Sequence, residues 1–270
     1  MWRIDMTNGL STANVSSAVK VIGGNPAPLF IAKTPGGDIQ PITTSPQVMA
    51  GYIKGKMVVF GTGKFIEPTD SANTDIQSIY GVWDNFSSAP ADYQVQRNKL
   101  YERTLVVGTS STTLSGSDTF IFGDGSTGTY RGWFVNLPAS RERVAVESSK
   151  RGDLVAFNTT IPEGECSGDG SGRTICVTSL YGLAGCNIAL SQSGLLSRPN
   201  FIDIEDPSAA DSYTPRNATG RRFTSTKGAV LSTGTKIKDG VVSSTSTAVT
   251  GTAIPAGRMG WREVRNFRAN

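Results

Sequence analysis

The stretch Lys56-Met57-Val58-Val59-Phe60-Gly61-Thr62-Gly63-Lys64-Phe65-Ile66-Glu67-Pro68-Thr69-Asp70, followed after a polar connection by Gln77-Ser78-Ile79-Tyr80-Gly81-Val82-Trp83-Asp84-Asn85, governs the reading of the chain. Residues 57–60 are a short apolar run, β-branched and aromatic, which suits a strand covered on both faces. Gly61 and Gly63 end the run, because glycine adopts positive φ or lets another segment approach closely. Pro68, Asp70, Ser71, Asn73 and Asp75 read as a surface loop. Residues 76–83 resume as a strand with Ile79, Tyr80, Val82 and Trp83 as its apolar content. Strand, glycine-marked turn, polar loop and aromatic-ended strand form one unit, and predict a large all-β domain made of such units.

Composition agrees. The chain has 270 residues with 31 Gly and 13 Pro, which fits many short strands joined by turns. Its length supports a single substantial core. No apolar run approaches the roughly 18 residues of a membrane helix, so no membrane span is expected. Met1-Trp2-Arg3-Ile4-Asp5 lacks the basic and apolar regions of a signal peptide. For an exported protein this makes the chain a mature fragment with an upstream part. The net charge of +4 is mild, and the basic residues gather late, at Arg221, Arg222, Lys227, Arg258, Arg262, Arg265 and Arg268. They read as a solvated surface, and no nucleic-acid-binding module accompanies them.

The chain has no His. That removes the commonest general base, the commonest metal ligand and the usual activator of Ser or Cys, and favours a non-enzyme. Gly61-Thr62-Gly63-Lys64 lacks the spacing of a phosphate loop and opens no helix. Asp118, Asp124 and Asp169 sit near glycines but without the ligand spacing of a calcium loop, so turn chemistry is the expectation. Glu142, Glu147, Glu163 and Glu165 read as surface charges. Trp83, Trp133 and Trp261 read as packing residues more than as a ligand platform. Arg151-Gly152-Asp153 is the tripeptide that some adhesins present to integrins. It reads first as a β-turn and second as a receptor-binding segment.

The cysteines are Cys166, Cys176 and Cys186. Cys166 lies in a Gly/Ser-rich stretch, Cys186 follows Ala-Gly in another turn, and Cys176 sits in an apparent strand. A disulfide between Cys166 and Cys186 is the first expectation, and Cys166 with Cys176 the second. The gaps contain no C-x-x-C half, so no zinc site is expected.

Several segments, in order, resemble the C-terminal β-propeller domain of the PilY family of type IV pilus assembly and tip-adhesin proteins. The 56–85 stretch is the first. Residues 1–6, MWRIDM, resemble the family's "LWRFDL" strand, and Gln40-Pro41-Ile42-Thr43 to Pro46 its "QPIT…P" segment. Residues 131–138, RGWFVNLP, are similar to "RGWYLDLP". Residues 141–144 and 154–162, RERV and LVAFNTTIP, are similar to "GERV…VFFNTLIP". Gly257-Arg258-Met259-Gly260-Trp261-Arg262-Glu263 resembles the "GRxSWRE" ending. The paired runs around 130–137 and 154–162 are expected to be adjacent antiparallel strands of one blade.

The resemblance implies a propeller, here with a partial blade set: blades over residues 1–200, and a loop-rich extension with hairpins over 201–270 that returns to the propeller. At about 40–50 residues per blade the chain would hold at most five to six. The resemblance also implies a role in type IV pilus biogenesis, extension and twitching motility. It implies minor pilins at the pilus tip as partners, an upstream segment that completes the propeller, a host receptor or abiotic surface as target, and an extracellular site at the pilus tip or outer cell surface. The family's calcium-binding loop commonly precedes the 1–6 strand, so calcium would be held upstream and no cofactor within this chain. The alternatives are a propeller oxidoreductase of the quinone-cofactor type and a structural fibre or coat protein.

Overall fold

The computed structural model describes every residue except 5–18, 88, 90–92, 109–111, 117, 163–169, 187, 192–195, 204–228, 239–240 and 250–270. Its strands are β1 (Val21–Ile22), β2 (Asn25–Pro26), β3 (Gln47–Ala50), β4 (Lys56–Gly61), β5 (Ser78–Asp84), β6 (Tyr101–Arg103), β7 (Leu105–Val107), β8 (Thr112–Leu114), β9 (Ile121–Phe122) and β10 (Thr129–Tyr130). They continue with β11 (Gly132–Asn136), β12 (Ser149–Arg151), β13 (Leu154–Asn158), β14 (Ile161–Pro162), β15 (Gly170–Thr178), β16 (Ala189–Ser191), β17 (Asn200–Asp203), β18 (Ala229–Lys238) and β19 (Val241–Val249). Among the described residues the only helical turns are 3₁₀, at Pro68–Ala72 and Arg97–Lys99.

Two large sheets carry the structure. The first has the order β3-β4-β5-β11-β6, and the second β12-β13-β15-β14 with β16 also on β15. A third, β17-β18-β19, ends in the β18–β19 hairpin. The predicted β4 and β5 pair antiparallel, with Met57 opposite Trp83 and Phe60 opposite Tyr80. Alternation along β4 explains why the whole run is apolar. Met57 and Val59 point into a core with Ile79, Trp133 and Val135, met from the second sheet by Val155, Phe157, Ile175 and Val177. Val58 and Phe60 point the other way, among Tyr80, Val82, Phe134, Phe30, Val95 and Leu100. Fully burying one such side chain is worth about 1.5–3 kcal/mol, so the first sheet is held from both faces.

The structure corrects several expectations. The runs around 130–137 and 154–162 do not share a blade. β11 inserts between β5, antiparallel, and β6, parallel, whereas β13 pairs with β12 and β15. β6 and β7, separated by Thr104 alone, stand in different sheets, and β8 pairs with β7. The expected surface loop contains a 3₁₀ turn at 68–72; Pro68, Asn73 and Asp75 are exposed as read, whereas Asp70 is buried. Gly170, Ser171 and Gly172, from the Gly/Ser-rich stretch that holds Cys166, begin β15 and are buried. The Gly172 position leaves no room for a side chain: a Cβ there would meet the Thr159 carbonyl oxygen at 2.1 Å.

Candidate interaction surface

Gly61 and Gly63 mark a seam between the two sheets. A Cβ on Gly61 would lie 2.5 Å from Val144 Cβ, and one on Gly63, whose φ is +138°, 2.5 Å from Arg143 Cβ. The close approach lets Val144 N–H donate to Thr62 O at 2.9 Å, while Arg143 exchanges two backbone hydrogen bonds with Thr160. The Arg143 guanidinium then donates to the carbonyls of Lys64, Asp70 and Asn73 at 2.9, 2.6 and 2.7 Å. Burial pushes its pKa down, with Asp70 opposing. Asp70 is itself held below the usual carboxylate range. Burial acts against that, but the N–H groups of Glu67 and Ile66 and the Lys64 ammonium outweigh it.

Glu142, expected as a surface charge, is buried. Its carboxylate accepts from Arg173, from Thr159 Oγ1 at 2.7 Å and from Ala139 N–H at 3.1 Å. Arg173 lies on β15, so this ion pair ties residues 139–144 to the second sheet. No spacing in the chain could announce a partner 31 residues away. The RERV segment is thus a connector between sheets.

Trp83 and Trp133 pack, as expected. Trp133 is fully buried and donates Nε1–H to Ser179 O at 2.9 Å, and Trp83 donates to Lys54 O at 2.8 Å. Both stand in the first sheet's core cluster, on the neighbouring strands β5 and β11. Trp261 lies outside the described residues, as does Cys166. Cys186 is buried beside Cys176.

Gly152 and Asp153 form the two-residue connection between β12 and β13, and Arg151, the last residue of β12, stands opposite Leu154. Gly152 has φ +60°, the sign required at the first central position of a II′ hairpin turn. Asp153 O accepts from Ser179 N–H at 2.7 Å, which pins the turn to the second sheet. Gly152 and Asp153 are exposed. The tripeptide is therefore displayed on a rigid hairpin.

Sequence reasoning missed an open cleft of about 390 Å³ lined by Pro28, Ile31, Lys33, Val95 and Arg97, among others. Arg97 donates to Lys33 O, Ser78 Oγ and Tyr80 Oη, and stands 3.9 Å over the Phe134 ring. Burial pushes the Tyr80 phenol up, against the pull of Arg97. Among the described residues no group of three His, Cys, Asp or Glu could hold a metal. Asp124 instead accepts from Ser126 N–H at 2.8 Å, as turn chemistry predicts. Within the described residues the molecule offers rigid turns and a cleft of mixed polar and apolar lining.

Residues 1–117 match the family model of the PilY1 beta-propeller domain. A type IV pilus biogenesis factor PilY1 of Pseudomonas aeruginosa (strain PAO1) is 30% identical over 201 residues, which is 63% of this chain and 17% of the relative. A type IV pilus biogenesis factor PilY1 homolog of Xylella fastidiosa is 34% identical over 87 residues, covering 32% of this chain and 6% of the relative. The chain thus spans less than a fifth of these relatives. The crystal structure of the Pseudomonas aeruginosa PilY1 C-terminal domain superposes with a TM-score of 0.57 at 20% identity, over 92% of this chain and 54% of that one. At that identity the likeness is one of fold: all-β and propeller-type. The chain is thus similar to the PilY1 beta-propeller domain, by family model over residues 1–117 and by fold over 92% of its length.

Proposed function

We propose that this chain is a rigid β scaffold that serves type IV pilus biogenesis by holding loops against other proteins at the pilus tip or outer cell surface. The observation that carries the reading is the alignment with relatives named as pilus biogenesis factors, on a fold whose seam is closed by Arg143 and Glu142. Its partners in this reading are minor pilins, and its outcome is pilus extension, twitching motility and attachment. The action is presentation of a surface and not turnover of a substrate. The Arg151–Asp153 turn is the segment offered to a receptor.

A neighbouring segment that completes the propeller is the second partner. The chain aligns with 54% of the solved PilY1 domain, and Ile53 and Ile121, 83% and 69% exposed, flank the stacked Tyr52 and Phe122 rings. Further blades would cover that apolar surface.

The test replaces the matching segment of a PilY1 protein with this chain in a bacterium lacking its own copy, and measures surface pili and twitching. Restoration of both is expected. A well-folded, exported chimaera that restores neither would refute the reading.

A further inference from the structure

Cys176 lies on β15, fully buried, and Cys186 follows the turn that leaves this strand. That turn is tight. Thr178 N–H donates to Leu183 O and Gly185 N–H to Cys176 O, both at 2.8 Å, and Val177 bridges Ala184. Gly185 makes the approach possible, because a Cβ there would sit 2.4 Å from Leu154 Cδ2 and 3.3 Å from Cys176 Sγ. The backbone bends at Cys186, whose side chain joins Leu154, Ala156 and Cys176 in one buried cluster. Residues opposite or next to each other across such a pair have the separation that a disulfide spans.

We propose that Cys176 and Cys186 form a disulfide that staples the 179–185 turn, leaving Cys166 outside the bond. The position gives the bond a purpose. Ser179 O accepts the Trp133 indole N–H, Tyr181 O accepts Arg103 Nε–H at 3.0 Å, and a Cβ on Gly182 would touch the Trp133 ring at 2.4 Å. The turn belongs to the second sheet, and Trp133 and Arg103 belong to the first. The staple therefore locks the contact between sheets.

The oxidant is a disulfide, either a protein oxidoreductase or oxidised glutathione. The Cys186 thiolate attacks one oxidant sulfur and releases the other as a thiol. Cys176 then attacks the Cys186 sulfur, the protein disulfide forms, and the second oxidant thiol leaves. The two cysteine protons end on the two released thiols, and the oxidant gains the two electrons. In the folded chain the Cys176 thiol is hydrogen-bonded to Cys186 and desolvated, which raises its pKa and slows attack. The bond therefore forms before the turn packs, and is shielded afterwards.

The experiment refolds the full chain with oxidised glutathione, alkylates free thiols and maps peptides without reduction, for the wild type and for Cys166→Ser. The expected result is a linked 176–186 peptide in both, alkylated Cys166 in the wild type, and a melting temperature about 5–10 °C above that of the reduced chain. A peptide linking Cys166 to Cys186 or to Cys176, or three alkylated cysteines, would overturn the proposal.

Discussion

Trp133 is gripped between two glycines, and this yields a sharp prediction. Gly81 lies directly opposite Trp133 in the β5–β11 register. A Cβ on Gly81 would stand 2.4 Å from Trp133 Cε2 and Nε1, and one on Gly182 2.4 Å from Cδ2 on the other side. Ordinary contact needs about 3.5–4 Å, so Gly81→Ala forces the ring or the strand to move by more than 1 Å. Overpacking of that kind costs about 1–3 kcal/mol. Gly81 has no positive φ, so the reduced entropy of the unfolded chain returns about 0.4–1 kcal/mol. The net loss is about 1–2 kcal/mol.

Trp133→Phe removes the atoms that clash and also the N–H donor to Ser179 O, at a cost of about 1–3 kcal/mol from the orphaned carbonyl alone. In the Trp133→Phe background, Gly81→Ala should therefore cost nothing or stabilise slightly. Equilibrium urea unfolding followed by far-ultraviolet circular dichroism measures all four chains of the cycle. The expected coupling is about 1–3 kcal/mol, within the range seen for residues in contact. Costs that add to within about 0.5 kcal/mol would show that the glycine does not make room for the indole. Gly182→Ala should be worse than Gly81→Ala, because φ at Gly182 is +64° and left-handed strain joins the clash.

Glu142→Ala leaves the Arg173 charge buried without its carboxylate and should destabilise by about 3–5 kcal/mol, read by the same unfolding assay; a loss below about 1 kcal/mol would mean that the pair is hydrated. Asp70 has a depressed folded pKa, so its contribution is complete above the ordinary carboxylate value of about 4 and is lost as pH falls through the folded value. The stability gap between wild type and Asp70→Asn should accordingly be flat from pH 5 to 7 and shrink below pH 4, and a gap that ignores pH would contradict the assignment. Asp153→Glu should abolish receptor binding in a surface-plasmon assay with an integrin ectodomain while leaving the melting temperature unchanged, since the residue is exposed in its turn. Unchanged binding would end the receptor reading.

Local features were legible. Residues 57–60 announced a strand covered on both faces, Gly61 and Gly63 a positive φ or a close approach, and residues 76–83 a second strand, observed at 78–84, because strand burial and glycine geometry are written in neighbouring residues. The ordered motifs pointed to the family for the same reason. The candidate surface was less legible: the Arg151–Asp153 turn could be read from three letters, whereas the Arg97 cleft draws Pro28, Lys33 and Val95 from separate segments.

Folding in three dimensions decided who meets whom. β11 could have joined β13 by pattern, yet it slots between β5 and β6. Glu142 looked solvated until Arg173 arrived from β15, and Cys176 found Cys186 because a glycine let one turn close on its own strand. Periodicity tells a side chain which face to take. It carries no information about the strand, charge or thiol on the other side, because those contacts are selected by the packing of the whole chain.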